Sequence, residues 1–217
     1  NIVRIQTMLP PPRVPSSPNP LFEAAFGPEL EAGDYLIKLI KGKDTLSTKL
    51  TINNNPDVNH SAADRQLRRE SLLKAYNLLE ELAYVDYQAM EIRKQTLALA
   101  DSVKNKGLRA NSFKYADKMA AMHEKISATQ PGEGGVAGQI RLREKIAEVY
   151  SAIGSYEGKP TDLQLAALSV YVDAVKAMQS ELDILIKGDL ANYNAGIVRA
   201  GLQPVKVSDK ATFMQSK

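Results

Sequence analysis

His60 and His123 are the chain's only imidazoles, and no cysteine accompanies them. A metal needs ligands at matched spacing, and His123-Glu124 begins the HExxH pattern of helical zinc sites. That pattern requires a second histidine at position 127, where Ser127 stands. His123 therefore reads as a hydrogen-bonded residue of a helix seam, sharing its side with Phe113, Ala116, Met119, Ala120 and Ile126 at helical period. Without cysteine there is no disulfide, no thiolate-held zinc and no thiol nucleophile. The carboxylates Glu80 and Glu81 are adjacent, and adjacent residues on a helix do not face one another. They read as solvated surface charges. Paired Glu-x-x-His motifs of the di-iron type do not occur.

The stretch Gly132-Glu133-Gly134-Gly135-Val136-Ala137-Gly138 has the glycine content of a phosphate-cradling loop. It lacks the Gly-Lys-Ser/Thr ending and the preceding strand that such a loop needs, so it reads as a flexible interhelix connection. Tyr84, Tyr87, Tyr150, Tyr156 and Tyr171 fall at amphipathic positions where the ring packs and the hydroxyl reaches water. With no tryptophan in the chain, a sugar-stacking platform is the weaker reading. No catalytic, cofactor-binding or metal-ligating residue is assigned, no cofactor is expected, and the chain reads as a non-enzyme.

The elements around these residues divide sharply by composition. Seven of the 11 prolines precede residue 30, and proline fixes φ and lacks an amide donor. Leu9 to Pro20 is therefore an extended linker or a surface-hugging arm, preceded by a short alternating strand signal over Ile2–Thr7. Gly33–Ile40 and Thr45–Ile52, rich in β-formers around Lys41-Gly42-Lys43-Asp44, predict a hairpin. Tyr35, Ile37 and Leu39 lie on one face of its first run. Leu46, Thr48, Leu50 and Ile52 share one face of its second. An isolated hairpin is marginal in water, so it must pair with other strands or lie against the helices.

Ser61, with Asp64 three residues on, caps the first helix. Leu72, Ala75, Leu79, Leu82, Val85, Ala89, Ile92, Thr96, Leu99 and Val103 continue one face to near Lys106-Gly107, a rod of roughly 60 Å at 1.5 Å per residue. A second helix is expected from about Ser112 to Ala128. A third carries Leu142, Ile146, Val149, Tyr150 and Ile153, and a fourth opens at the capping box Thr161–Gln164 and runs to about Gly201. Two long rods with two shorter helices beside them predict an antiparallel up-down bundle.

Net charge is +3, from 28 basic and 25 acidic residues spread along the chain. That balance leaves no footprint for nucleic acid or an anionic membrane. No apolar run approaches the roughly 20 residues of a membrane span. The chain opens Asn1-Ile2-Val3, which reads as a processed chain or a piece of a longer one.

Several local patterns resemble the C-terminal region of bacterial sortilin-type, or Asp-box (BNR-repeat), glycosyl-hydrolase-like β-propeller proteins. Phe26-Gly27-Pro28 followed by Leu30-Glu31-Ala32-Gly33-Asp34-Tyr35 is similar to that family's Gly-Pro…Pro-Gly-Thr-Tyr lead into a small β-sandwich hairpin. Leu50-Thr51-Ile52 with Asn55-Pro56-Asp57 resembles its strand exit. Leu142–Tyr150 with Gly158-Lys159-Pro160-Thr161-Asp162, and Asp189–Asn194, resemble later helical stretches. The likeness covers roughly residues 26–205, although Glu31-Ala32 replaces the usual proline and the arm at Leu9–Pro20 does not align. The Asp boxes are absent, so no catalytic residue carries across. The resemblance implies an extracytoplasmic, periplasmic or secreted parent protein with any hydrolase site upstream.

The expected organisation is mainly α: residues 1–25 a strand and Pro-rich arm, 26–58 a hairpin and partial, Ig-like β-sandwich, 59–205 the helical bundle and 206–217 a tail. The function expected is a non-catalytic structural or interaction module, the C-terminal accessory of a secreted propeller protein. Its partner would be the upstream propeller domain or another protein, with room for a homo-oligomer. The alternative is a ligand-binding or sensory bundle with an apolar interhelix pocket lined by Met119, Met122 and Met178, methionine being an adaptable gap-filler.

Overall fold

The computed structural model describes residues 4–132 and 139–215. Ile2 and Val3 of the expected first strand, and Glu133–Gly138 of the expected interhelix loop, lie outside the described residues. The chain forms a helical bundle preceded by a two-stranded hairpin. Over residues 4–7 the alternating signal does not become a strand; pairing is confined to one antiparallel bridge, Met8 with Glu29. The amide of Leu9 donates to Pro28 O at 2.8 Å, and that of Leu30 to Thr7 O at 2.8 Å. Pro10, Pro11 and Pro12 supply no donors to extend the ladder. Gly27 is needed at this crossing, because a Cβ there would lie 2.0 Å from Leu9 O.

Beyond the bridge the arm hugs the bundle, burying Pro12, Pro15 and Asn19. Asn19 is its anchor. The side chain donates to Gln130 O at 2.9 Å and accepts from the Gly132 amide at 2.7 Å, while the buried Arg143 guanidinium donates to Asn19 O at 3.1 Å.

Strands β1 (Gly33–Lys41) and β2 (Asp44–Ile52) pair antiparallel from Gly33↔Ile52 to Lys41↔Asp44. Gly42 turns the chain at φ 62°, a conformation other residues resist. The register puts Tyr35, Ile37 and Leu39 opposite Leu50, Thr48 and Leu46 on one face. Among the described residues no third strand joins this sheet.

Helix α1 spans Ala62–Ser102, and Ser61 Oγ accepts from the Asp64 amide at 3.0 Å as its cap. It buries Leu72, Ala75, Leu79, Leu82, Val85, Ala89, Ile92 and Thr96. Thr96 is buried at no polar cost, since its hydroxyl donates to Ile92 O at 2.7 Å. Helix α2 spans Lys106–Ile126, not the expected Ser112 to Ala128. The reason is local: Asn105 Oδ1 accepts from the Leu108 amide at 2.9 Å, so Lys106-Gly107 starts a helix instead of ending one. Helix α3 runs Leu142–Gly154, the Glu144 carboxylate accepting from the Arg141 amide at 3.0 Å. Helix α4 (Asp162–Leu185) opens on the Thr161–Gln164 capping box, with bonds of 3.2 and 2.8 Å.

A π turn over Ile186–Leu190 joins α4 to α5 (Ala191–Arg199), making the second long rod. The turn has a packing cause. Leu168, Val175 and Leu182 are buried seven residues apart, and the next step of seven would bring Asp189 to the core. One extra residue per turn delays the seam by one position, so Leu190, Tyr193 and Ile197 are buried and Asp189 is turned outward. The carboxy-terminal segment expected as a tail is held to α1. Gln95 and the Lys206 backbone exchange bonds of 2.8 and 2.9 Å, and Gln88 Nε2 donates to Ser208 O at 2.9 Å. Helix α6 (Lys210–Gln215) then packs Phe213 between Tyr84 and Tyr87.

Leu79 is fully buried whereas Leu163 is 81% exposed. Leu79→Ala should cost about 2–5 kcal/mol in urea melts, and Leu163→Ala less than about 0.5 kcal/mol.

Candidate functional site

His123 lies at the seam position its period indicates, and its partner comes from α1. Its Nδ1 is 2.6 Å from Asp86 Oδ1, and Asp86 is 2% exposed. The other Asp86 oxygen accepts from the Ser16 amide at 3.3 Å, while Ser127 Oγ donates to Ser16 O at 2.8 Å. Ser17 Oγ donates to Ala128 O at 2.9 Å. The imidazole and carboxylate thus fasten the Pro-rich arm across α1 and the end of α2. Asp86 was invisible as a partner in the sequence, because 37 residues separate it from His123.

The hydrogen bond to Asp86 holds the His123 imidazole above its ordinary value of 6.5, overcoming burial, which lowers it; the charges of Asp86 and Glu124 add to the rise and Arg93 opposes it. A buried, bonded carboxylate beside an imidazole is a motif of general-base chemistry. Here the two Asp86 oxygens hold the His123 imidazole and the Ser16 amide, which ties the arm to the bundle.

The other residues with chemical capacity are spent similarly. His60 stacks edge-on to Tyr156, ring centroids 5.7 Å apart. Glu80 accepts from the Arg13 amide and the Tyr76 hydroxyl at 3.4 Å each. Tyr150 donates to Phe26 O at 2.7 Å, and burial pushes its phenol up to about 12. Tyr84 donates to Ser208 O at 3.2 Å and Tyr87 packs on Phe213. The five tyrosines do not converge on one surface. Met119 and Met122 are enclosed in the core, with Met178 packed against it. Among the described residues no three metal-capable side chains come together, and no helix is long and apolar enough to cross a membrane.

What the bundle leaves unsatisfied is the hairpin. Leu39 and Leu46 are 47% and 69% exposed on one face of the ribbon, and Leu36 and Ile40 are 59% and 68% exposed on the other. The face of Tyr35, Ile37, Leu39, Leu46, Leu50 and Ile52 is apolar except for Thr48; Tyr35, Ile37, Leu50 and Ile52 are half-buried on it, while Leu39 and Leu46, toward the turn, stay exposed. Both strands are also edges, each presenting a row of unpaired backbone groups. An open strand edge beside exposed apolar side chains is a surface that another chain or sheet can cover. No protein-family model matches the chain, and no curated protein or solved structure matches it either.

The raised His123 value fixes the sign of a pH effect. A group whose folded-state value is raised contributes stability that is fully present below its unfolded value of 6.5. That contribution is lost as pH rises through the folded value. Unfolding free energy should therefore fall as the pH climbs above 6.5, and His123→Gln should flatten the decline. Denaturant melts across a pH series check this, and equal slopes in the two proteins would remove the role assigned to the pair.

Proposed function

We propose that the chain is a non-catalytic interaction module whose hairpin is completed by a neighbouring β-structured domain. The observation that carries this reading is the exposure of Leu36, Leu39, Ile40 and Leu46 on a two-stranded ribbon beside a well-packed bundle. A ribbon of nine residues per strand is marginal on its own. Packing against a second sheet about 10 Å away would bury Tyr35, Ile37, Leu39, Leu46, Leu50 and Ile52 together, as in a β-sandwich. Alternatively, pairing at a free edge would use the exposed backbone, as in strand addition.

The resemblance to sortilin-type, Asp-box propeller proteins supplies the neighbour. In that setting the chain is the C-terminal accessory of a larger secreted protein, and any glycosidase chemistry belongs to the upstream propeller. The bundle's part is to hold the hairpin rigidly. Residues 30–32, next to the bridged arm at one end, and Asn53–Ser61, leading to the cap of α1 at the other, tie the ribbon to the bundle at its base.

Hydrogen exchange tests the docking. In the parent protein, with its propeller present, the outer-edge amides of β1 should be protected where the same amides exchange freely in this chain alone. Equal exchange at every amide of β1 and β2 in both settings would overturn the docking, and equal exchange at the outer edge alone would overturn strand addition there. Leu46→Lys should remove the protection while leaving the helical circular dichroism unchanged, since Leu46 touches no core. Turnover of an aryl glycoside by the purified chain would overturn the non-catalytic reading separately.

A further inference from the structure

The π turn that keeps the core apolar also builds a polar groove. Helices α2 and α5 run antiparallel and meet where Ser112 Oγ and Tyr193 Oη lie 2.8 Å apart and the rings of Tyr115 and Tyr193 lie parallel at 6.0 Å. Gly196 lets Leu108 close the contact, since a Cβ there would sit 3.0 Å from Leu108 Cδ1. One residue before the core stripe on each helix runs a second stripe. On α2 it is Asn111, Lys114 and Lys118; on the π turn and α5 it is Asp189, Asn192 and Gly196, with Arg199 nearly one turn further on lining the same hollow. Because the helices are antiparallel, the same one-residue offset places both stripes on the same side of the contact.

They wall a hollow of about 380 Å³ that opens beside Asn105 and Arg199 into a second of about 650 Å³. Charges on ordinary helix surfaces diverge into water, whereas these converge on a concave space of ligand size. Without the extra residue of the π turn, Asp189 would point into the core, away from Lys118, and the second wall would be turned away. Instead Lys118 pairs with Asp189, which leaves the Lys114 ammonium and the Arg199 guanidinium as the groove's net positive charge. The amides of Asn111 and Asn192 bring donors and acceptors from opposite walls. The floor is dry: Tyr115 and Tyr193 are 4% and 7% exposed. Both phenols are raised by burial, although the bond to Ser112 partly offsets the shift at Tyr193.

We infer that this groove binds a small organic anion, its charged group between Lys114 and Arg199 and its hydroxyl or carbonyl groups on Asn111 and Asn192. The inference is independent of the hairpin reading, since no residue is shared between the two sites.

Amide shift titrations of the chain with citrate, glucose 6-phosphate and neutral glucose test it. Shifts confined to α2, the π turn and α5 are expected with at least one of the two anions, and none with glucose. Response to citrate alone names a carboxylate ligand, to glucose 6-phosphate alone a phosphate, and to both a site selecting by charge. Lys114→Gln and Arg199→Gln should each weaken binding about tenfold, the usual worth of a hydrogen bond to a charged group, with Lys114→Arg retaining it. These side chains lie on the surface, and the amide spectrum itself reports that each variant is folded. The inference is overturned if neither anion shifts these amides, if glucose shifts them equally, or if the Gln variants bind as the parent does.

Discussion

From Leu72 to Val103 one helix turns its apolar side in succession to α2, α3 and α4, and burial of that stripe is the condition under which every other element finds its place. A rod of 41 residues is far longer than α2 or α3. Its partners are therefore those two short helices end to end on one flank, and on the other α4 continued through the π turn into α5. Burying a large aliphatic side chain is worth about 1.5–3 kcal/mol, and seven of the residues on this stripe are nearly or wholly sealed from water. The same demand sets the π turn. Between Leu182 and Leu190 the apolar spacing slips by one residue, and the backbone inserts a wider turn instead of carrying Asp189 into the core.

The arm and the carboxy-terminal segment both return to α1. The arm lies across it through Asp86, His123 and Asn19, and the carboxy-terminal segment runs along Gln88 and Gln95. The two meet where Arg13 donates to the carbonyls of Phe213 and Met214 and lies over the Phe213 ring, 4.9 Å from its centroid. A cation stacked on an aromatic face while donating to backbone carbonyls gains from both contacts. The bundle is thereby wrapped by two extended segments, and the hairpin is the part of the described chain left standing away from it. The ribbon keeps Leu36, Leu39, Ile40 and Leu46 exposed, whereas the large aliphatic residues of the α1 stripe are sealed in the core.

Much of this was legible in one dimension. Ser61 and the Thr161–Gln164 box mark helix starts because a cap is made by residues three apart. The hairpin was legible because Gly42 and the alternation around it act over a few residues. The α1 stripe was legible because its period is the helix's own. The misread start of α2 was also local: Gly107 suggested an ending, while Asn105, three residues before Leu108, was already the cap.

Other features could not be read along the chain, because they join residues that only packing brings together. The Asp86–His123 pair spans 37 positions, and the hold of Arg143 on Asn19 spans 124. The sequence by itself determined the hairpin, the long helices and the inward stripe of α1, since those follow from short-range sterics, caps and periodicity. Only the tertiary structure decided what His123 bonds to, where the arm and the carboxy-terminal segment lie, and that the polar stripes of α2 and α5 face one groove. Those outcomes depend on the rotation of one helix against another, here set by a single extra residue in a π turn.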